Sequence, residues 1–246
     1  EIAGLVVEIP TNPLVQTPDI EVISERRKEK GILTIGDPSL VSPQNVDLSE
    51  LCDIVCCSLT KYAAHAGDVM IGAVSVREGE SWTEEIDSIL KARLSRPYAR
   101  DEILLSEHLS SAKEVLEQMN QNTVKMASFL ENHPGIEKCY WAESEIYGER
   151  YGRIARKSSC PGSIITIKLK KSVQPFYDRI PLPKGPSFGT TFTLLTAYVH
   201  LAHYDMLQTV MGREILANAG IDERMLRLSV GIEPIDTLKS LFEKYL

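Results

Sequence analysis

The sequence predicts an α/β chain: a mostly parallel, helix-covered sheet in the first half, followed by a smaller α+β unit. Three observations carry this. Short apolar runs alternate with helical signals over residues 4–76, at the spacing that right-handed strand–helix–strand crossovers need. Those runs are unbroken rather than alternating, as in strands buried on both faces. From about residue 101 the pattern becomes one long helix, and strands and helices then mix without the crossover rhythm.

The first strand is Gly4-Leu5-Val6-Val7-Glu8. Thr17-Pro18-Asp19 then starts a helix: a hydroxyl cap, proline at the first helical position and an acid in the first turn. Gly31 stops it after Lys28-Glu29-Lys30. Ile32 to Ile35 is the second strand, followed by Gly36-Asp37-Pro38-Ser39. Asp53 to Cys57 is the third, followed by Ser58-Leu59-Thr60-Lys61, and Val69 to Val76 is the fourth. Leu104, Leu105, His108 and Leu109 open a helical stripe, which Leu116, Met119, Val124, Met126, Phe129 and Leu130 continue up to Asn132-His133-Pro134-Gly135. Beyond it, 163–169 and 226–230 read as strands, and 205–219 and 235–245 as helices. The change of pattern divides the chain into residues 1–125, the larger sheet domain, and residues 126–246, the smaller α+β domain.

At 246 residues the chain suffices for one large domain or two modest ones. With 43% hydrophobic and 25% charged residues it suits a soluble globular protein, which excludes disorder, collagen and coiled coil. Lys and Arg number 27 and Asp and Glu 34, so the net charge is −7. An acidic surface argues against nucleic acid or anionic membrane as a partner. No apolar run reaches the roughly 18 residues of a membrane span. The five cysteines include no CxxC pair, so no structural zinc site is expected; an odd count, with Cys56 and Cys57 in an apolar run, suggests a reducing, cytoplasmic setting.

Parallel sheets present ligand groups at the C-terminal ends of their strands. Read in order, those ends offer Asn12, Asp37, Ser58, Thr60 and Lys61. A lysine just after a buried strand is desolvated, which lowers its pKa and makes its amine nucleophilic. An Asp on the adjacent strand can keep a pyridine nitrogen protonated, and hydroxyls suit a phosphate. This is the protein side of a pyridoxal phosphate site. Neither GxGxxG nor a Walker pattern competes with it. Arg227 lies in an apolar strand, where an unpaired guanidinium is costly, so it calls for an anion.

Glu8-x-Pro10-x-Asn12-Pro13, Asp37, Ser58-x-Thr60-Lys61-Tyr62 with Asp68 and Gly72, and Leu226-Arg227-Leu228-Ser229-Val230-Gly231-Ile232-Glu233 stand in that order. Together they resemble the Cys/Met-metabolism family of pyridoxal-phosphate enzymes (fold type I), which includes cystathionine γ-synthase and the cystathionine lyases. The resemblance runs along essentially the whole chain. It implies pyridoxal 5′-phosphate as cofactor, Lys61 as the Schiff-base lysine that also moves the Cα proton, and Asp37 on the pyridine nitrogen. It further implies Ser58 and Thr60 at the phosphate, Asn12 beside the cofactor and the substrate carboxylate, Arg227 on that carboxylate, and Ser187 lining the site near the lysine. The implied activity is elimination or replacement at Cβ or Cγ of sulfur-containing or O-acylated amino acids.

Some positions depart from the family pattern. Its Ser-Leu-Gly-Gly becomes Ser187-Phe188-Gly189-Thr190, and Phe192 falls near a family glutamate. Its Arg-Gly-Leu-Lys helix start becomes Glu107-His108-Leu109-Ser110. After the lysine, Gly-His-Ser-Asp becomes Ala64-His65-Ala66-Gly67-Asp68, with the histidine one place early. His203 falls where the family has a histidine.

The chain opens on Glu1 without Met or signal peptide, as though already inside a strand. The family's Gly-Met phosphate pair, ring-stacking tyrosine and cross-dimer Tyr/Arg pair precede that strand. The resemblance therefore implies a further N-terminal segment, and a homo-oligomer (a dimer of dimers) acting on a small amino acid, or a second chain that supplies the segment. The alternative reading is a catalytically incomplete member that acts as a binding or scaffold partner.

Overall fold

The computed structural model describes residues 4–246. Residues 1–3, where the chain opens as though already inside a strand, lie outside the described residues. Strand β1 (Gly4–Glu8) leads through helix α1 (Ile20–Lys30) to β2 (Leu33–Asp37), then to β3 (Ile54–Ser58) and β4 (Gly72–Val76). Helices α2 (Thr83–Arg93) and α3 (Ala99–Glu131) follow. The second half comprises β5 (Ile136–Tyr140), α4 (Gly148–Ile154), β6 (Ile164–Leu169), α5 (Gln174–Arg179), β7 (Leu194–Thr196), α6 (Tyr198–Ala202), α7 (Tyr204–Leu207), α8 (Val210–Asn218), β8 (Met225–Ser229) and α9 (Ile235–Tyr245).

The first sheet has the order β1-β2-β3-β4. Its first three strands are parallel, and β4 runs antiparallel to β3, with Ser58 opposite Gly72. The parallel strands therefore end together at Glu8, Asp37 and Ser58, which puts the loops after them on one edge. Helix α1 is capped by Asp19, whose carboxylate accepts from Val22 N at 3.2 Å, rather than by Thr17. Thr17 is buried, and its hydroxyl has no partner. The helix ends as expected at Gly31, in the left-handed conformation that glycine adopts without strain (φ 63°). Beneath the sheet, Arg27 pairs with buried Asp53 at 2.5 Å, and Asp53 also accepts from Thr34 N at 2.8 Å.

A sheet covered on both faces is the one expectation the structure revises substantially. Val7 and Val55 pack on a core that includes Ile20, Leu40, Val41 and Met119. On the other face Val6 is 70% exposed, and β4 is almost wholly exposed. An unbroken apolar run shows that a strand tolerates burial on both faces. The atoms that bury it must come from elsewhere, and the described residues cover one face. Cys56 and Cys57 are correspondingly half-buried, whereas Cys52 and Cys160 are buried; all five cysteines are free.

The 33-residue α3 spans about 50 Å and joins both halves. Leu105 packs with Ala64 and Val69, Leu116 and Met119 with the first core, and Met126, Ala127 and Leu130 with the second. Residues 125 and 126 both lie within this helix. The second sheet, β5-β6-β8-β7, is wholly antiparallel, and β8 is buried along its length. Polar stitches fasten the halves. Asn120, which exchanges amide hydrogen bonds with Asn45 at 3.0 Å, accepts from Gly162 N at 2.8 Å. The Tyr62 hydroxyl donates to Leu40 O and accepts from Ser163 N. Among the described residues no helix is long and apolar enough to cross a membrane, and no cluster of three metal-ligating side chains forms.

Candidate active site

The loop between β3 and β4 turns tightly because β4 must return beside β3. Leu59 N and Thr60 N both donate to Ile71 O, and His65 N donates to Lys61 O at 2.9 Å. This turn half-buries Lys61. Its Nζ donates to Ser187 Oγ at 3.2 Å and lies 4.9 Å from the centre of the Phe188 ring. Burial first, and the nearby Arg227 guanidinium second, lower the pKa of the amine below its ordinary value.

Ser187 reaches the lysine because the loop that carries it packs directly on the lysine's backbone. A Cβ on Gly189 would meet Tyr62 N at 3.0 Å and Lys61 C at 3.1 Å, so the close approach requires glycine. Gly189 N donates to Ser229 Oγ at 3.1 Å and ties this loop to β8.

Arg227, in the middle of β8, is 2% exposed. Its Nη1 donates to Asn12 Oδ1 at 3.2 Å, and its Nη2 to the Pro186 and Ser187 carbonyls. Its Nε has no partner. The rings of Phe188 and Tyr198 lie 5.5 and 5.2 Å from its guanidinium carbon. A buried cation held only by neutral oxygens and aromatic faces has capacity left for a carboxylate. Burial lowers its pKa.

Asn12, Arg227, Ser187 and Lys61 thus form one hydrogen-bonded chain across 215 residues of sequence separation. Asp37 sits beside it at the end of β2. Its Oδ1 accepts from Ser39 N at 2.9 Å, and the Ser39 hydroxyl accepts from Ser58 N at 2.7 Å. Asp37 lines a small cavity with Asn12 and Phe188, and on its other side a groove of about 610 Å³ with Ser58 and Thr60. The Thr60 hydroxyl is already engaged: it accepts from Ile71 N at 3.2 Å.

A pyridoxal phosphate group fits this donor set. The set combines a partly desolvated amine, a carboxylate on the neighbouring strand, a hydroxyl-lined groove and a buried guanidinium lacking an anion. Sequence reasoning treated Phe188 only as a departure from a pattern and missed Tyr198. Both meet Arg227 through tertiary packing, for which the local sequence carries no periodic signal.

A family model described as "Cys/Met metabolism PLP-dependent enzyme" matches residues 3–246. The L-2-amino-4-chloropent-4-enoate dechlorinase/desaturase of Streptantibioticus cattleyicolor is 31% identical over 242 residues, covering 98% of this chain and 48% of that protein. The cystathionine gamma-synthase of Neurospora crassa is 29% identical, covering 99% of this chain and 39% of that protein. Among solved structures, a cystathionine gamma synthase from Xanthomonas oryzae superposes with a TM-score of 0.83 at 25% identity, covering 99% of this chain and 64% of that one. A cystathionine gamma lyase from Micromonospora echinospora gives 0.85 at 23% identity, covering 98% and 63%. The chain spans about half, or less, of the length of these curated relatives. The fold is that of the fold-type-I enzymes, and the chain belongs to the Cys/Met-metabolism family of pyridoxal-phosphate-dependent enzymes.

Proposed function

We propose that the whole protein is a pyridoxal-phosphate-dependent lyase or γ-synthase. It would eliminate or replace a group at Cβ or Cγ of a small sulfur-containing or O-acylated amino acid. The observation that carries this is the single chain of contacts from Lys61 through Ser187 to Arg227 and Asn12. Relatives named for cystathionine and for a chlorinated amino acid support the substrate class.

The bound cofactor supplies an electron sink for the pair left on Cα when its proton departs. Arg227 binds the substrate α-carboxylate in its bidentate fork, and Asn12 fixes the plane of that fork. Lys61 Nζ, its basicity reduced by burial, is the amine that would carry the cofactor covalently and then take the Cα proton. Ser187 Oγ orients Nζ. Asp37 would hold the proton on the pyridine nitrogen, and Ser58 and Thr60 would receive the phosphate. In this reading residues 1–125 contribute the cofactor contacts, while residues 126–246 contribute Ser187 and the carboxylate clamp. The proposal includes a cytoplasmic setting, supported by the free cysteines, and the dimer-of-dimers assembly that the family resemblance implies.

Borohydride reduction of the cofactor-loaded protein, followed by peptide mapping, is expected to place a pyridoxyl label on Lys61 and none in Lys61→Ala. A label on another lysine, or no label, rejects the assignment. A label on Lys61 without turnover of any amino acid supports the binding-partner alternative.

A further inference from the structure

His65 is 8% exposed, yet the function above does not use it. Its backbone lies in a string of hydrogen bonds between the two halves of the site. His65 N donates to Lys61 O at 2.9 Å, Thr191 N donates to His65 O at 2.8 Å, and Ile232 N donates to Thr191 O at 2.9 Å. The string runs from the lysine, through the loop after Ser187, to the residues just beyond β8. A Cβ on Gly67, in the same turn, would come within 3.3 Å of Thr190, so the two loops are in contact there as well.

The side chain pins this string to α3. Its Nε2 lies 3.3 Å from His108 O and 3.1 Å from Ser111 Oγ. A carbonyl only accepts, so Nε2 carries the proton of the neutral ring. Nδ1 is then a bare acceptor, buried without a partner. A second proton there would create a buried N–H with nothing to receive it. The groups that face the ring offset this only in part: the His108 carbonyl and the Asp68 carboxylate favour the protonated ring, but burial outweighs them. His108, on α3, stacks edge-on at 5.0 Å and has its own Nε2 on Asp68 at 3.2 Å. Asp68 lies on the lysine's own loop, and the 187–193 loop brings only hydroxyl, aromatic and backbone groups.

We propose that His65 is a positioning residue: its neutral ring clamps the Lys61 turn and the 187–193 loop to α3, and protonation of the ring releases both. The inference rests on Lys61 as the cofactor lysine. Burial lowers the pKa of His65 below the ordinary 6.5, outweighing the His108 carbonyl hydrogen bond and the Asp68 carboxylate, which both raise it. A depressed base binds its proton better in the open state. The clamp is therefore complete above about pH 6.5 and weakens as the pH falls below it.

Amide hydrogen exchange in the cofactor-loaded protein tests this, with rates corrected for intrinsic pH dependence. Protection over 61–71 and 187–193 is expected to fall severalfold between about pH 7.5 and about pH 5.5 in the wild type. His65→Gln keeps a donor near the Nε2 position but cannot titrate. It should stay protected within about twofold across that range, and His65→Ala should be less protected than the wild type at about pH 7.5 and insensitive to pH. Equal pH-dependent loss in wild type and His65→Gln overturns the proposal, as does full protection in His65→Ala. Failure of the cofactor assignment would appear separately, as a missing label on Lys61 with the exchange pattern intact.

Discussion

The two sheets of this protein are built from similarly apolar strands and yet live in different surroundings. In the first, β1 and β4 leave apolar side chains such as Val6 and Val74 exposed. In the second, β6 and β8 are sealed between α3 and α9 on one side and short helices on the other. The groups of the proposed active site divide accordingly. Lys61 and Asp37 come from loops and strand ends of the open sheet, and Arg227 projects from the interior of the closed one. A buried cation needs rigid, dry walls to favour one carboxylate geometry. A lysine that must bond, release and move a proton needs room. The contrast teaches that the proposed carboxylate clamp is a feature of the core, while the proposed reactive amine is a feature of a loop.

Arg227 gives the largest test of that contrast. Nothing anionic offsets its burial in the free protein, so replacing it with an apolar side chain removes a desolvated charge. Arg227→Met removes that burial but leaves the Asn12, Pro186 and Ser187 oxygens without their donor. Its stability is therefore expected within about 1 kcal/mol of wild type, while use of any amino-acid substrate weakens at least 100-fold, on the order of the 2–5 kcal/mol of a buried hydrogen-bonded charge pair. Lys61→Ala, by contrast, should abolish turnover, about 10³-fold or more, with stability unchanged within about 0.5 kcal/mol. Denaturant titration alongside assay decides it. If Arg227→Met is destabilised by several kcal/mol, the guanidinium is structural and the comparison breaks.

Second in size is the packing difference itself. Ile167 is fully buried, so Ile167→Ala should cost about 2–5 kcal/mol. Val6→Ala, on the open face, should cost less than about 0.5 kcal/mol in this chain. The comparison sharpens if the assembled whole protein is measured. A cost above about 1 kcal/mol for Val6→Ala there means that further chain or a partner surface covers β1, and an unchanged value means that the face stays wet.

The legible part of the fold follows the same line. Strand ends at Asn12, Asp37 and Lys61 could be placed from sequence, because an apolar run and its turn residues fix where a strand stops. Arg227 was legible because a charge inside an apolar run demands an explanation. What covers a strand was not legible, since cover comes from distant residues. The antiparallel return of β4 was hidden for a related reason: a loop's sequence shows that the chain turns, not which neighbour it pairs with. Asp19 and Thr17 are both good helix caps, and only burial of Thr17 separates them. Strand β5 and helices α4 to α6 are short and lack a clear period, so they were not recognised.

The smallest expected effect concerns acid. In the closed half Lys168 and Arg224 alternate with Glu137 and Asp222 in a ring of ion pairs of 2.8–2.9 Å. Burial alone would raise the Asp222 pKa, but hydrogen bonds from Arg224 and Lys168 outweigh it and hold the carboxyl well below its ordinary 3.8. A depressed acid gives stability that is complete above the unfolded value and is lost as pH falls below it. The ring lies at the solvent surface, so solvent screening keeps its contribution small. Asp222→Asn should therefore be slightly less stable than wild type at neutral pH, with the difference closing below about pH 3.8. Descending pH thus separates the regions: the lysine loop loosens below the ordinary histidine value, while the second sheet responds only in the carboxylate range. Exchange protection followed region by region down the pH scale reads both steps, and simultaneous loss in the two halves would show that α3 binds them into one cooperative unit.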